Sequence, residues 1–236
     1  MPQAFLDQAR LKDTIERLAL RIEERFPGSG LGGVARRLDG VAGDTVRIVD
    51  DISRPFWVLR ALVSLVVLAL LAVLGYGVSR LPLAPGRLTL GDLVQMTESA
   101  VSELALIGAA LVFLVSIETR GKRRRVIVAI NTLRSIAHVI DMHQLTKDPH
   151  VLAEGQPPTL HSPRRVLSVF ELGRYLDYCS ELLSLTSKVG FLYVQRFNDP
   201  VSVEAVNELE DLCSGLSRKI WQKIMMLQDL PAPGPA

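Results

Sequence analysis

The stretch Phe56–Ser79, FWVLRALVSLVVLALLAVLGYGVS, decides the reading of this chain, together with a second apolar run, Ser99–Ile117, SAVSELALIGAALVFLVSI. At about 1.5 Å per helical residue, each run is long enough to cross a hydrocarbon core of about 30 Å. The cluster Arg120, Lys122, Arg123, Arg124 and Arg125 follows the second run directly. The expected fold class is an all-α membrane protein: a two-span transmembrane hairpin with a cytoplasmic antiparallel helical bundle. The spans are expected at about residues 56–79 and 97–118, with a short outer loop over 80–96. The hairpin as a whole covers 55–119.

Composition agrees with that division. The chain has 236 residues and a formal net charge of +2. Its mean hydropathy of +0.26 is high, but the excess sits in the two runs. What remains is an N-terminal part, 1–54, and a larger part, 120–230, that is long enough to bury its own core. The small net charge gives no support for nucleic-acid binding. Cys179 and Cys213 are the only cysteines, and their wide spacing is no metal motif. No secretory signal is visible, so the first run is expected to stay as an uncleaved anchor.

Charge sets the expected orientation, because cytoplasmic flanks carry the Lys/Arg excess. Arg36, Arg37, Arg47 and Arg54 stand before the first run, and the cluster Arg120–Arg125 stands after the second. The loop holds only Arg80 and Arg87. Both termini are therefore expected in the cytoplasm, and the cell inner membrane is the expected location, crossed twice. The cluster reads as a topology anchor facing anionic lipid headgroups. Pro82, Pro85 and Gly86 break the first helix, and Thr89 with Asp92 resembles a capping box for the next.

The remaining segments read as helices. Over Gln3–Phe26, Leu11, Ile15, Leu18 and Ile22 form a heptad seam. This helix can self-associate or pack on the C-terminal helices, and packing within the chain is the preferred reading. Pro27–Gly33 reads as a break, with the glycines of Gly28–Gly33 as a hinge, and a weaker helix follows up to Pro55. The second span is expected to run on through Gly121 to Leu145. A loop covers Thr146–Pro163. Helices are expected over Arg164–Phe197, with Val166, Val169, Phe170, Leu172, Leu176, Leu183 and Val194 near one stripe, and over Val201–Leu227. Residues 231–236 read as a disordered tail. The expected bundle has three long helices, with the N-terminal helix as a fourth.

Four charged residues sit at or in the spans. Arg60 and Arg80 mark the boundaries of the first, and Glu118 marks the inner boundary of the second, where it can pair with Arg60. Glu103 lies about 22 Å from Glu118 along a helix, inside the outer edge. Ionisable groups inside a bilayer are costly and point to function. Glu103 therefore reads either as a pathway carboxylate in an oligomer or as a residue that pairs with Arg80 or reaches the outer headgroups. Small residues such as Ala61, Ser64, Gly75, Ala105 and Ala109 permit close helix approach.

All four histidines, His138, His143, His150 and His161, fall in one window with Asp141, Asp148 and Glu154. Zinc takes His and carboxylate ligands, so His138, Asp141 and His143 are metal candidates. Their spacing argues against it, because a helical zinc pair normally stands at i and i+4. The alternative has His138 hydrogen-bonded to Asp141. No phosphate loop, dinucleotide fingerprint or nucleophile elbow is present. No cofactor is expected. The leading reading is a non-catalytic, oligomeric, membrane-anchored interaction or signalling scaffold. Its expected partners are the lipid bilayer, further copies of itself and a cytoplasmic protein. The alternatives are a subunit of an oligomeric channel or transporter using Glu103, and a metal-dependent enzyme built on the window His138–His161.

Overall fold

The computed structural model describes residues 5–79, 90–147, 149, 161 and 167–229. Among these the chain is all-helical. Helix α1 is Gln8–Arg25, α2 is Gly30–Ser53, α3 is Trp57–Ser79, α4 is Leu90–Leu145, α5 is Val169–Arg196 and α6 is Pro200–Gln228. The chain divides into two compact units. One holds residues 1–53 and 123–236, and the other holds 54–122. Helix α4, 56 residues long, contributes to both.

Local chemistry explains where the helices start. Asp7 caps α1 by accepting hydrogen bonds from the Ala9 and Arg10 amides at 2.9 and 3.2 Å. Ser168 and Glu171 form a reciprocal capping box at the start of α5. Asp199 accepts from the Ser202 amide at 3.1 Å and caps α6, with Pro200 in the first turn, where its missing N–H costs nothing. The expected start of α5 at Arg164 and of α1 at Gln3 thus move inward to the residues that follow these caps.

The expected glycine hinge at Gly28–Gly33 is corrected. Only the turn 26–29 breaks the chain. Gly28 takes φ +67°, a left-handed conformation that side chains disfavour. The Ser29 hydroxyl then accepts from the Gly32 amide at 3.1 Å, so α2 is already under way at Gly30. Glu23 fastens the corner. Its carboxylate accepts from the Gly28 amide at 3.1 Å and from Arg36 at 2.6 Å. These two partners, the amide first, hold the Glu23 carboxyl below its ordinary range.

In the larger unit one apolar core draws on α1, α2, the stretch of α4 from Val126 to Ile140, α5 and α6. Leu11, Ile15, Leu18 and Ile22 are buried in it, so the heptad seam of α1 is spent within the chain. Helix α2, read from the sequence only as a weaker helix, is a full part of the core. It buries Leu31, Val34, Leu38, Val49 and Ile52, and its Thr45 shares a buried 2.8 Å hydrogen bond with Tyr193 of α5. Helix α5 is the most deeply covered. It buries Leu176, Cys179, Leu182, Leu183 and Val189 with three tyrosines, Tyr175, Tyr178 and Tyr193. Phe26 of α1 meets Tyr175 and Tyr178 edge-on, at centroid distances of 5.4 and 6.2 Å. Val169 and Phe170, expected on the apolar stripe, are exposed instead, whereas Leu172 in the same turn is buried.

Gly190 marks the closest approach within this core. A Cβ added there would stand 2.6 Å from Leu209 Cδ2 of α6, with Ile130 and Leu133 of α4 just behind. Burial drives the Cys179 and Cys213 thiols up to about 12, as expected of core residues.

Ion pairs tie α4 to α6 and α2. Arg123 donates twice to Asp199, at 2.9 and 2.6 Å. Arg134 pairs with Glu208, Arg125 with Asp51 at 4.0 Å, and Lys223 donates to the Gln144 carbonyl at 2.8 Å. The Arg123–Asp199 pair is the best enclosed, with Asp199 only 5% exposed. The Arg123 guanidinium, with the Ser202 amide and hydroxyl, holds the Asp199 carboxyl below the ordinary range, against the opposing effect of burial. A carboxyl lowered in the folded state stabilises fully above its ordinary pKa of about 4 and loses that contribution as pH falls through its folded value. Asp199→Asn keeps a capping oxygen but removes the charge. The variant should unfold below the wild-type temperature at pH 7, and the gap should close as pH is lowered below about 4. Thermal unfolding by circular dichroism across that range checks this, and a gap independent of pH would contradict it.

Candidate functional site

The smaller unit, 54–122, has the opposite surface. No described side chain of α3, or of α4 between Leu90 and Lys122, is buried. Leu68 is 63% exposed and Leu104 is 74% exposed, and Leu62, Leu65, Leu106, Val112 and Phe113 are similarly open. Two helices are long and apolar enough to cross a membrane, α3 over Arg60–Gly77 and α4 over Thr97–Leu145. The 23 residues of α3 extend about 34 Å.

The energetic meaning of that surface follows from its size. Leaving one Leu, Val or Phe in water rather than burying it costs about 1.5–3 kcal/mol, so ten such side chains amount to roughly 20 kcal/mol. The net stability of a domain is about 5–15 kcal/mol. A contiguous apolar surface of this extent calls for a cover of lipid or protein.

Charges gather at one end of the unit. Arg60 Nε stands 3.7 Å from Glu118 Oε2, so the expected pair between α3 and α4 forms. Lys122, one turn beyond Glu118, completes it at 2.8 Å and lies over the Phe56 ring at 5.9 Å. The Glu118 and Lys122 side chains are only 14% and 12% exposed, whereas Arg60 is open. Lys122 was expected only as a topology anchor, and its i, i+4 spacing from Glu118 was the signal for this pair.

Half-covered positions of α4 before Lys122 include Glu103, Ile107, Ala110, Leu114 and Glu118. Their spacing of four, three, four and four places them on one stripe, and that stripe reaches α3 at Glu118. Glu103 therefore shares the face of the paired carboxylate. It makes no ion pair or hydrogen bond among the described residues. Arg80, its expected partner, lies outside the described residues, as do Arg87 and Thr89. Helix α4 begins at Leu90, the start that the Thr89–Asp92 capping-box reading implies, so residues 90–96 of the expected connection are helical. Gly121 does not interrupt α4.

The basic cluster separates by partner. Lys122 is held by Glu118, Arg123 by Asp199 and Arg125 by Asp51. Arg120 and Arg124 make no ion pair among the described residues.

The histidine window is not gathered. His138 is exposed, and the expected bond from Asp141 to His138 is corrected. Asp141 accepts instead from Gln144 Nε2 at 2.7 Å, three positions away on the other side. The His143 ring lies against Gly30, where any side chain would collide with it. No three His, Cys, Asp or Glu among the described residues stand close enough to hold a metal. His150, Asp148 and Glu154 lie outside the described residues.

No family of known proteins, no curated protein and no solved structure matches this chain.

If lipid is the cover, a charge at mid-helix should block insertion at a cost of about 2.5–3.5 kcal/mol per residue. Leu68→Arg and Leu106→Arg should each shift much of the protein into the alkaline-extractable fraction. Leu20→Arg, at an exposed position of α1 in the other unit, should not. Equal extraction of all three would remove the distinction between the units.

Proposed function

We propose that this chain is an integral protein of the cell inner membrane that crosses the bilayer twice and keeps both termini in the cytoplasm. In this reading α3 and the first part of α4 are the spans, and the larger unit is a cytoplasmic antiparallel helical bundle. It acts as a non-catalytic, oligomeric scaffold for interaction or signalling. One observation carries the reading: the contrast between a unit with an enclosed apolar core and a second unit in which no described apolar side chain is buried. A helix satisfies its own backbone hydrogen bonds, so α4 can pass from lipid to water without a break. The Lys/Arg excess on both flanks supports the orientation.

Orientation is tested with cysteines introduced one at a time and a maleimide that does not cross membranes. Gln228→Cys and Ser53→Cys should react only after the cytoplasmic side is opened, while Arg87→Cys should react from outside. The buried native thiols, raised to about 12, should stay silent in all samples. Reaction of Gln228→Cys from outside would overturn the orientation.

A second reading rests on Glu103, half-covered and without a partner among the described residues. Two spans form a conduction path only by assembling with other chains, and a carboxylate at this depth then binds a cation or carries a proton. On that reading Glu103→Gln alters cation or proton flux in liposomes while leaving assembly intact. Flux identical to wild type assigns Glu103 to the boundary of the span.

A further inference from the structure

Helix α4 carries a groove on the side away from the stripe Glu103–Glu118. It runs between two neighbouring rows of side chains. Gly108, Val112, Ser116 and Arg120 form one row at intervals of four, and Ala109, Phe113 and Ile117 form the other. The whole groove lies within the smaller unit. It holds about 430 Å³, inside the range of about 300–1,000 Å³ usual for small-ligand sites. Val112, Phe113 and Ile117 give it exposed apolar walls. At the Gly108 end it is open: a Cβ added there meets nothing within 4 Å.

The two ends of the groove differ in chemistry. Arg120 stands at one end, and it makes no ion pair or hydrogen bond among the described residues. Ser116, one turn nearer the centre, makes no hydrogen bond among them either. The rest of the lining is apolar. From Gly108 to Arg120 the helix rises about 18 Å. A hydrocarbon core of about 30 Å gives each leaflet about 15 Å. Gly108 falls at the middle of the span read over 97–118, so the groove is one leaflet deep and its charged end lies level with the headgroups. The complementary molecule has an anionic head and an apolar tail about one leaflet long. A second copy of the chain is a poorer match. Copies that share a membrane and an orientation are related by an axis along the membrane normal. They would meet in this groove with their α4 helices parallel, which sets Arg120 against Arg120 where little water screens the repulsion.

We propose that this groove binds one anionic phospholipid of the cytoplasmic leaflet, with its phosphate on the Arg120 guanidinium, its ester region at Ser116 and an acyl chain along Val112 and Phe113 towards Gly108. Arginine presents two parallel donors to a phosphate, and the tail gains by covering exposed apolar side chains. This rests on the membrane reading above and names a ligand for the second span.

Reconstitution of the full chain with spin-labelled phosphatidylglycerol or spin-labelled phosphatidylcholine tests it, read as the fraction of motionally restricted lipid. Phosphatidylglycerol is held roughly fivefold more strongly, the effect of one basic residue near a charged headgroup. Arg120→Gln removes that preference, and Arg120→Lys keeps it. Gly108→Leu fills the open end of the groove and weakens the hold on both lipids. Glycerol phosphate does not compete, because it has no tail. An equal loss of preference in Arg124→Gln, an exposed arginine of the same cluster, assigns the effect to diffuse charge and overturns the site. Competition by glycerol phosphate overturns the lipid as occupant. An oligomer that Gly108→Leu splits while the lipid preference stays intact puts a second copy in the groove and overturns the proposal. Flotation separates the two levels. Protein that floats with phosphatidylcholine vesicles but holds both lipids equally overturns the groove alone, and protein that does not float overturns the membrane reading with it.

Discussion

Helix α5 sets the constraint from which the larger unit follows. A helix with one apolar stripe is satisfied by one neighbour. Helix α5 is apolar around much of its circumference, so it must be covered from several directions at once. Phe26 of α1 covers Tyr175 and Tyr178, and Thr45 of α2 meets the Tyr193 hydroxyl. Leu209 of α6, with Ile130 and Leu133 of α4, closes over Gly190. No pair of these helices could satisfy α5 alone. The buried hydroxyls of Tyr193 and Thr45 add specificity, because each would be left without a partner if α2 slid along α5.

Helix α4 carries a second constraint. Its amphipathic part, from Val126 onward, repeats buried positions at Val126, Ile130, Leu133, Ala137 and Ile140. Before Arg123 the repeat gives way to apolar residues on all sides. An all-round apolar helix and a one-sided one ask for different surroundings, and a single unbroken backbone serves both. Gly121 sits at the change and costs the helix about 1 kcal/mol, too little to break it when both sides propagate the same hydrogen-bond ladder.

The features legible in sequence are those that depend on one residue type at a fixed period. The heptad of Leu11, Ile15, Leu18 and Ile22 marked a buried face correctly, and the two apolar runs marked the two uncovered helices. The Arg60–Glu118 pair could be read from depth alone. What escaped were features that depend on neighbours. Tyr175, Tyr178 and Tyr193 look amphipathic in sequence, and only the approach of α1 and α2 places them inside. The glycines of Gly28–Gly33 suggested a flexible hinge, yet Ser29 is a good capping residue placed before Leu31, Val34 and Leu38. That signal outweighs glycine content once α1 supplies a surface to pack on. The Asp141–Gln144 bond was missed because i, i+3 pairs compete, and sequence does not show which partner wins.

Under the proposed topology the basic cluster serves two purposes. Orientation depends on positive charge near the ends of a span, and that charge acts while the chain is inserted, before the helices have packed. Arg123 and Arg125 are later taken up by Asp199 and Asp51, and Lys122 by Glu118. Pairing in the finished structure therefore does not weaken the topological argument. It changes what each residue would lose. Replacing Arg120 or Arg124 removes a positive charge and little else, whereas replacing Arg123 also strands a nearly buried carboxylate at the start of α6. Under the proposed topology, the charges that would orient the chain and those that hold the core lie within a single turn of α4, and the two are separable there residue by residue.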